Sequence, residues 1–304
     1  MKILVLGGGD SPEREVSLRS AKAVAEAARM AGYEVEEADP KYDLQKLDKI
    51  SKATIVLPIL HGINGEDGAI QRELEKRQLP FLGSDSKSSE TCFDKWLTHQ
   101  KLAAAGLTMP RAALVTNATY LDEPLVREPH VLKIVHGGSS IGTLPIPFPD
   151  PPPLKNKFVD DIFKLEEEAI VETMIDGKEI TVPILDGYAL PVIEIIPPDE
   201  GGFNYENKYN GRTQEIVPPK SIPEEVQINA RLMAEKVHKT MGCRHLSRID
   251  FMVNKNNKLY ILEANTMPGM TEQSLFPKSA AVNGMSMPQL VNKFIDMVKR
   301  DYNL

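Results

Sequence analysis

Two apolar runs, residues 249–253 and 259–262, flank the polar quartet Lys255-Asn256-Asn257-Lys258, and no other stretch of the chain leaves so little choice of local fold. Short apolar runs joined by a few polar residues make an antiparallel hairpin. If Lys255 to Lys258 form the turn, Asp250 falls opposite Glu263 and Arg248 opposite Asn265. Strand side chains alternate between faces, so these four share one face. Ile249, Phe251 and Val253 then share the other with Tyr260, Leu262 and Ala264.

One face is core and the other calls for an explanation. Facing carboxylates about 5 Å apart repel by roughly 3 kcal/mol at an effective dielectric of about 20, so the pair wants a cation. An all-oxygen set of Asp, Glu and an Asn amide suits Mg²⁺ better than Zn²⁺. A solvated face that keeps an edge strand soluble explains the carboxylates alone equally well. The run Asn265-Thr266-Met267-Pro268-Gly269-Met270-Thr271 shifts the balance, because it ends the strand in a turn whose Gly269 leaves a backbone N–H open to a ligand.

With 304 residues, the chain is long enough for two or three domains with substantial cores. Its net charge of -7 argues against a general nucleic-acid or membrane-surface binder, although local basic groups remain free to take nucleotide phosphates. The only cysteines, Cys92 and Cys243, lie far apart in sequence, which excludes a disulfide framework and a cysteine metal motif and fits a reduced, cytoplasmic setting. The opening apolar run stops at Gly7, too soon for a signal peptide, and no segment approaches transmembrane length.

Residues 1 to about 90 alternate strand and helix signals: strands at 3–6, 33–36 and 54–59, and helices at about 13–30 and 66–77. This is a doubly wound α/β pattern, in which ligands sit at the C-terminal ends of the strands. The first such loop, starting Gly7-Gly8-Gly9-Asp10-Ser11-Pro12-Glu13, lacks the glycine spacing of a dinucleotide fingerprint. Ser11 and Pro12 read as N-cap and first helical residue, and Glu13 as a first-turn acid. The second loop, 61–68, places three glycines around Glu66 and Asp67, and taken alone is a turn plus a helix start.

A helix at 94–105 follows, then a strand at 131–135 carrying Lys133 into His136-Gly137-Gly138-Ser139-Ser140-Ile141-Gly142. Such a turn bares N–H groups and hydroxyls to phosphate, but it is no P-loop and glycine-rich hairpin turns are common. The proline-rich run 145–153 reads as a linker. Strands at 169–175, 178–186 and 190–196 precede a long polar loop, 197–219. A loop of that length is usually functional or disordered. A helix at 223–241, the hairpin and a closing helix at about 287–302 complete the chain, with no internal repeat.

These motifs, taken in order, resemble the D-alanine:D-alanine ligase family of the ATP-grasp superfamily. The match spans the chain: the Gly8-to-Ser17 opening, residues 61–68, Asp94-Lys95, 138–142, 178–182, 205–209, Arg248-Ile249-Asp250 and Glu263-Ala264-Asn265-Thr266 with the Pro268-Gly269-Met270-Thr271 that follows. The resemblance implies an α/β chain, α+β in its central part, with the ATP-grasp fold behind an N-terminal doubly wound domain. Its parts would be residues 1–90 for substrate, 91–178 as the central subdomain and 179–304 as the C-terminal subdomain with the metal and catalytic site.

Carried over, the resemblance puts ATP phosphates on Lys95 and Lys133, adenine on Glu172, Thr173, Met174 and Ile175, ribose on Glu179 and the transferred phosphate on Lys208. Asp250, Glu263 and Asn265 would hold two Mg²⁺ ions, with Mn²⁺ as a substitute. Glu13 would take the ammonium of the first D-alanine, networked with Ser139 and Tyr209. Ser274 and the Leu275 backbone would take the second carboxylate, and Arg248 with the Gly269 N–H the oxyanion. It further implies a cytoplasmic homodimer serving peptidoglycan synthesis, with no nucleic-acid or membrane partner.

The chain departs from the family at Ile134, where proline is usual, at His136 and at His99; both histidines read as surface residues rather than bases. A same-fold ligase using D-lactate, D-serine or another second substrate is the alternative. A nucleotide-binding module without catalysis is disfavoured by the joint presence of Arg248, Asp250, Glu263, Asn265, Lys208 and Ser274.

Overall fold

The structure, a computed structural model, describes residues 1–138, 141–147, 157–198 and 213–304. It is an α/β chain built on three sheets that follow one another in sequence. The first is parallel, with β1 (Lys2–Leu6) between β2 (Glu34–Ala38) and β3 (Ile55–Pro58). Residues 3–6 and all of β3 are buried, as strands covered on both faces must be. Helix α1 (Arg14–Met30) crosses from β1 to β2 and presents a buried stripe containing Val16, Ala21, Val24, Ala25 and Ala28. Ser11 does not start this helix. Its Oγ accepts the Glu13 N–H at 3.2 Å and donates to the His61 carbonyl at 2.6 Å, tying the first two loops together, and the helix begins one residue beyond Glu13. Helices α2 (Ala69–Lys76), α3 (Ser86–Phe93) and α4 (Lys95–Ala104) follow. The short α3, N-capped by Asp85 and closed off by the extended Asp94 that caps α4, lies outside the elements expected from the sequence.

The second sheet is antiparallel, in the order β4 (Ala112–Thr116), β7 (Glu168–Thr173), β5 (His130–Ile134), β6 (Thr143–Ile146). Pro145, expected in a linker, lies within β6 opposite Val131. An edge strand tolerates the missing N–H that a central strand would not. Helix α5 (Lys157–Leu165), absent from the sequence reading, covers the sheet with Val159 and Ile162 against Leu132, Ile134 and Val171.

The chain switches sheets over residues 174–176. The third sheet, again antiparallel, contains β8 (Gly177–Leu185), β9 (Tyr188–Ala189), β10 (Ile193–Ile196), β11 (Gln214–Ile216), and, after helix α6 (Glu224–Met241), β12 (Leu246–Asn254) and β13 (Leu259–Asn265). Its order is β11-β10-β8-β12-β13, with β9 on β8. Leu102 of α4 and Leu107 join Ile180, Val182, Ile249, Phe251 and Ile261 in its core. Helices α7 (Leu275–Val282) and α8 (Met287–Tyr302) return to the first sheet, packing Phe276 and Phe294 into one core with Ile3, Val5 and Val24.

The hairpin reaches the expected pairing by an unexpected route. Asp250 faces Glu263 and Arg248 faces Asn265, but Val253 pairs with Leu259, so the turn is one residue shorter than the Lys255–Lys258 loop. Asn257 accommodates that turn at φ 61. The slip is cancelled at Leu262, which is passed over between the Phe251–Ile261 and Asp250–Glu263 pairs as a bulge. The core face of β13 is therefore Leu259, Ile261 and Ala264, while Tyr260 and Leu262, expected there, are half-buried.

Candidate active site

A cavity of about 810 Å³ is lined from all three sheet regions: Glu13, Val16, Arg19, His61 and Glu66 from the first, Gly137 and Gly138 from the loop after β5, and Arg248, residues 263–267, Gly269 and residues 271–275 from the third. The linings meet because the loops at strand ends converge. Glu13 is buried at the start of α1, and its carboxylate lies so near both glycine loops that a Cβ on Gly62 would sit 2.6 Å, and one on Gly138 3.0 Å, from Oε2. Gly62 moreover has φ +69, a conformation other residues rarely adopt.

Arg248 is the electrostatic centre. It grips Asp250 with two hydrogen bonds, Nε to Oδ1 at 2.9 Å and Nη2 to Oδ2 at 2.7 Å, and lies 3.9 Å from Glu263. Burial alone would lower its pKa, but Asp250, Glu263 and Glu66 together raise it, so the guanidinium is held charged. Asp250 also accepts from Thr181 Oγ1 at 2.5 Å. It does not line the cavity; Arg248, which does, is bound to it.

Glu66, buried at the cavity wall, has its carboxyl pushed up by burial, an effect that His61 opposes and Glu13 reinforces. His61 faces the Met267 carbonyl at 3.2 Å and Glu66 at 3.5 Å through Nδ1, and Ser20 Oγ at 3.2 Å through Nε2. With two acceptors at Nδ1, that nitrogen carries the proton. The imidazole thus pins the turn after β13 to the first sheet.

Lys95 opens α4, whose N-cap Asp94 accepts the Leu97 N–H, and its amine donates to the Gly137 carbonyl. Burial lowers its pKa, against the pull of Glu263, with Lys133 adding to the lowering. Gly269 packs so close to Ser274 that a Cβ would meet Oγ at 2.8 Å, and Ser274 Oγ in turn holds the Thr271 N–H at 3.0 Å.

Not every expected site residue reaches this cavity. Lys133 and Glu172 are both buried and pair with each other at 2.8 Å on adjacent strands of the second sheet. Thr173 ends β7, Met174 and Ile175 begin the crossover into the third sheet, and Glu179 lies just beyond it in β8. Thr173 Oγ1 is a buried oxygen that meets no hydrogen-bond partner. Ser139, Lys208 and Tyr209 lie outside the described residues.

No group of three or more His, Cys, Asp or Glu side chains capable of holding a metal occurs among the described residues. The hairpin set is instead two carboxylates and an amide. Glu263 and Asn265 line the cavity, and Asn265 Oδ1 accepts the Met267 N–H at 2.9 Å. All-oxygen donors of this kind match a hard divalent cation.

Residues 104–296 match the family described as the D-ala D-ala ligase C-terminus. A D-alanine--D-alanine ligase of Methylacidiphilum infernorum is 37% identical, the match covering 97% of this chain and 94% of that protein. The chain belongs to the D-alanine--D-alanine ligase family. Among solved structures, the D-alanine--D-alanine ligase of Bacillus anthracis complexed with ATP superposes with a TM-score of 0.84 at 29% identity, covering 100% of this chain and 99% of that one. The VanG D-Ala:D-Ser ligase of Enterococcus faecalis gives 0.80 at 26%, covering 98% and 99%. Both likenesses make this an ATP-grasp fold.

Several cavity residues of this family member escaped the sequence reading. Arg19 lies three residues, close to one turn, along α1 from Val16, which also lines the cavity. Glu215 and Lys278 pair at 2.6 Å between β11 and α7, and no local pattern joins them. His136, expected at the surface, is half-exposed but lies 3.4 Å from both Asp94 and Glu166. Glu166 also accepts the backbone N–H groups of Val135 and His136, closing the end of β5 where the glycine loop begins. His99, expected at the surface, is half-buried: it bonds the Pro110 carbonyl at 2.8 Å and stacks on Trp96.

Proposed function

We propose that this chain is an ATP-dependent ligase that joins two D-alanines into D-alanyl-D-alanine, releasing ADP and phosphate, for peptidoglycan precursor synthesis. One observation carries the reading: a single cavity gathers Glu13, Lys95, the glycine loop, Arg248, Glu263, Asn265, Gly269 and Ser274. The parts are residues 1–90, 91–178 and 179–304, with ATP between the last two. The protein acts in the cytoplasm as a homodimer.

Glu13, with Ser139 and Tyr209, orients the first D-alanine by its ammonium. Its carboxylate attacks the γ-phosphate, the bond to ADP breaks, and an acylphosphate forms, because a carboxylate is otherwise a poor electrophile. Lys95, Lys133 and Lys208 offset the phosphate charge, and Glu172, Thr173, Met174, Ile175 and Glu179 seat the nucleoside. Glu263 and Asn265 on the cavity wall, with Asp250 behind Arg248, would hold two Mg²⁺ or Mn²⁺ ions, which would screen the phosphates during transfer. The second D-alanine, held through its carboxylate by Ser274 and the Leu275 backbone, attacks the acyl carbon as a free amine. Arg248 and the Gly269 N–H stabilise the tetrahedral oxyanion until phosphate leaves. Water has to be kept from the acylphosphate, which gives residues 197–219 the part of a lid.

The likeness to the D-Ala:D-Ser ligase keeps D-serine as an alternative second substrate. Phosphate release measured with ATP and Mg²⁺ over D-alanine, L-alanine, D-lactate and D-serine, with products weighed by mass spectrometry, decides. D-alanyl-D-alanine as main product is the expected result. A mixed product selects the alternative, and no D-alanine-dependent release rejects both.

A further inference from the structure

The two cysteines, 151 positions apart in sequence, meet in the fold with their sulfurs 3.8 Å from each other. Cys92 is buried near the end of α3 and lines the cavity; Cys243 is partly exposed and follows Gly242, the left-handed residue that closes α6. The sulfurs are not alone in holding this junction. Ser88 Oγ donates to the Gly242 carbonyl at 2.9 Å, Lys101 Nζ to the Met241 carbonyl at 3.3 Å, and the Arg244 N–H to Ser84 Oγ at 3.1 Å. The two backbones are therefore docked whether or not a bond joins the thiols. A disulfide is about 2.05 Å long, so the sulfurs need to close by less than the width of one atom.

Two buried thiols in purely apolar surroundings would be inert. These two are unequal. Donation of the Cys92 S–H favours the thiolate on Cys243 and lowers its pKa against the effect of burial; the Ser84 hydroxyl and the Lys101 ammonium act in the same direction and Asp85 opposes them. The same contact, with burial, holds the Cys92 thiol well above its ordinary value.

We propose that Cys92 and Cys243 form a redox-active dithiol that closes to an intramolecular disulfide by exchange with a low-molecular-weight disulfide. The Cys243 thiolate attacks one sulfur of the reagent, forming a mixed disulfide and expelling one thiolate. Cys92 then loses its proton and attacks the Cys243 sulfur, expelling the second. Two protein thiols are oxidised, the reagent's S–S bond is reduced to two thiols, and the two protons pass to them. Disulfides of this kind in the cytoplasm are usually transient, and this one would reversibly tie the cavity wall at α3 to the end of α6.

The test takes the full chain, reduced and desalted, through excess glutathione disulfide, then a maleimide quench and peptide mass analysis. The wild type is expected to lose both alkylatable thiols and about 2 Da, to yield a linked Cys92–Cys243 peptide, and to recover with dithiothreitol. Cys92→Ser is expected to stop at a stable glutathione adduct on Cys243, and Cys243→Ser to react at Cys92 at least about tenfold more slowly. Two freely alkylated thiols in the oxidised wild type, or a glutathione adduct that persists there, would overturn the proposal.

Discussion

Two buried ion pairs of the same chemistry stand in different settings. In the second sheet Lys133 meets Glu172, one cation against one carboxylate, both nearly sealed from solvent. In the third sheet Arg248 is bound by Asp250 yet also answers to Glu263 and Glu66, and it faces the cavity. The first pair is close to neutral and satisfied within itself. The second sets one cation directly against three acids, with the Lys95 amine the next cation along the cavity wall. A buried pair that satisfies itself is stable without a ligand, so a nucleotide must compete with Glu172 for Lys133; a cluster of acids around one cation already favours an added positive charge.

Substitutions can break this contrast. The largest effect is expected at Arg248: replacing it by Ala should cut turnover by about 10²–10³-fold if it holds the oxyanion. It should also cost about 3–5 kcal/mol in urea unfolding, because Asp250 is left buried without its partner. Glu172→Gln should destabilise by a comparable amount, about 3 kcal/mol, by stranding Lys133. The pairs separate in the double variants. Lys133→Met with Glu172→Leu should recover most of the stability, and Arg248→Met with Asp250→Leu should recover stability but no turnover. Recovered turnover in the second case would abolish the distinction.

Acid probes the far end of the hairpin. His238, on Ser247 Oγ at 2.7 Å, is held down at about 4 by burial; His245, between the Gly83 N–H and Asp301, is also at about 4, through burial and Arg244 against the pull of Asp301. The unfolded chain binds these protons near pH 6.5 and the folded chain does not until about pH 4, so folding stability is complete above about pH 6.5 and falls as the pH drops towards 4. Each histidine contributes up to about 3 kcal/mol to that loss. Thermal melts between pH 7 and 4.5 should show it, and His245→Asn should flatten the slope. The smallest effect tests the bulge: Ile261→Ala should cost about 2–5 kcal/mol and Leu262→Ala less than about 1 kcal/mol. Equal losses would mean that Leu262 is core after all.

That last pair also marks what the sequence could and could not convey. Period-2 alternation located the hairpin and the facing of Asp250 with Glu263, because a buried face leaves little freedom of register. It could not reveal that a shorter turn and a bulge cancel, since both leave the ends of the strands unchanged. Closing helix α8 was legible from its apolar stripe and the eight-residue α2 from the strand-to-helix alternation around it, whereas α3, α5 and α7, each of eight or nine residues, show too few turns to declare a period alone. At the site, Glu13, Lys95, Arg248, Glu263, Asn265, Gly269 and Ser274 were named from motifs and meet in one cavity. The Cys92–Cys243 contact, the Glu215–Lys278 pair and the role of Glu166 behind the glycine loop depend on packing between distant segments, which no local pattern encodes.

Glu263 offers the most direct test of the hairpin as the seat of chemistry, because it faces the cavity with few structural ties and Gln keeps its shape. Phosphate release dependent on D-alanine, ATP and Mg²⁺ should fall at least about 10²-fold in Glu263→Gln, the scale of losing one electrostatic stabiliser, while the urea midpoint stays within about 0.5 kcal/mol of wild type. A Glu263→Gln protein that folds normally and turns over at the wild-type rate would contradict the account.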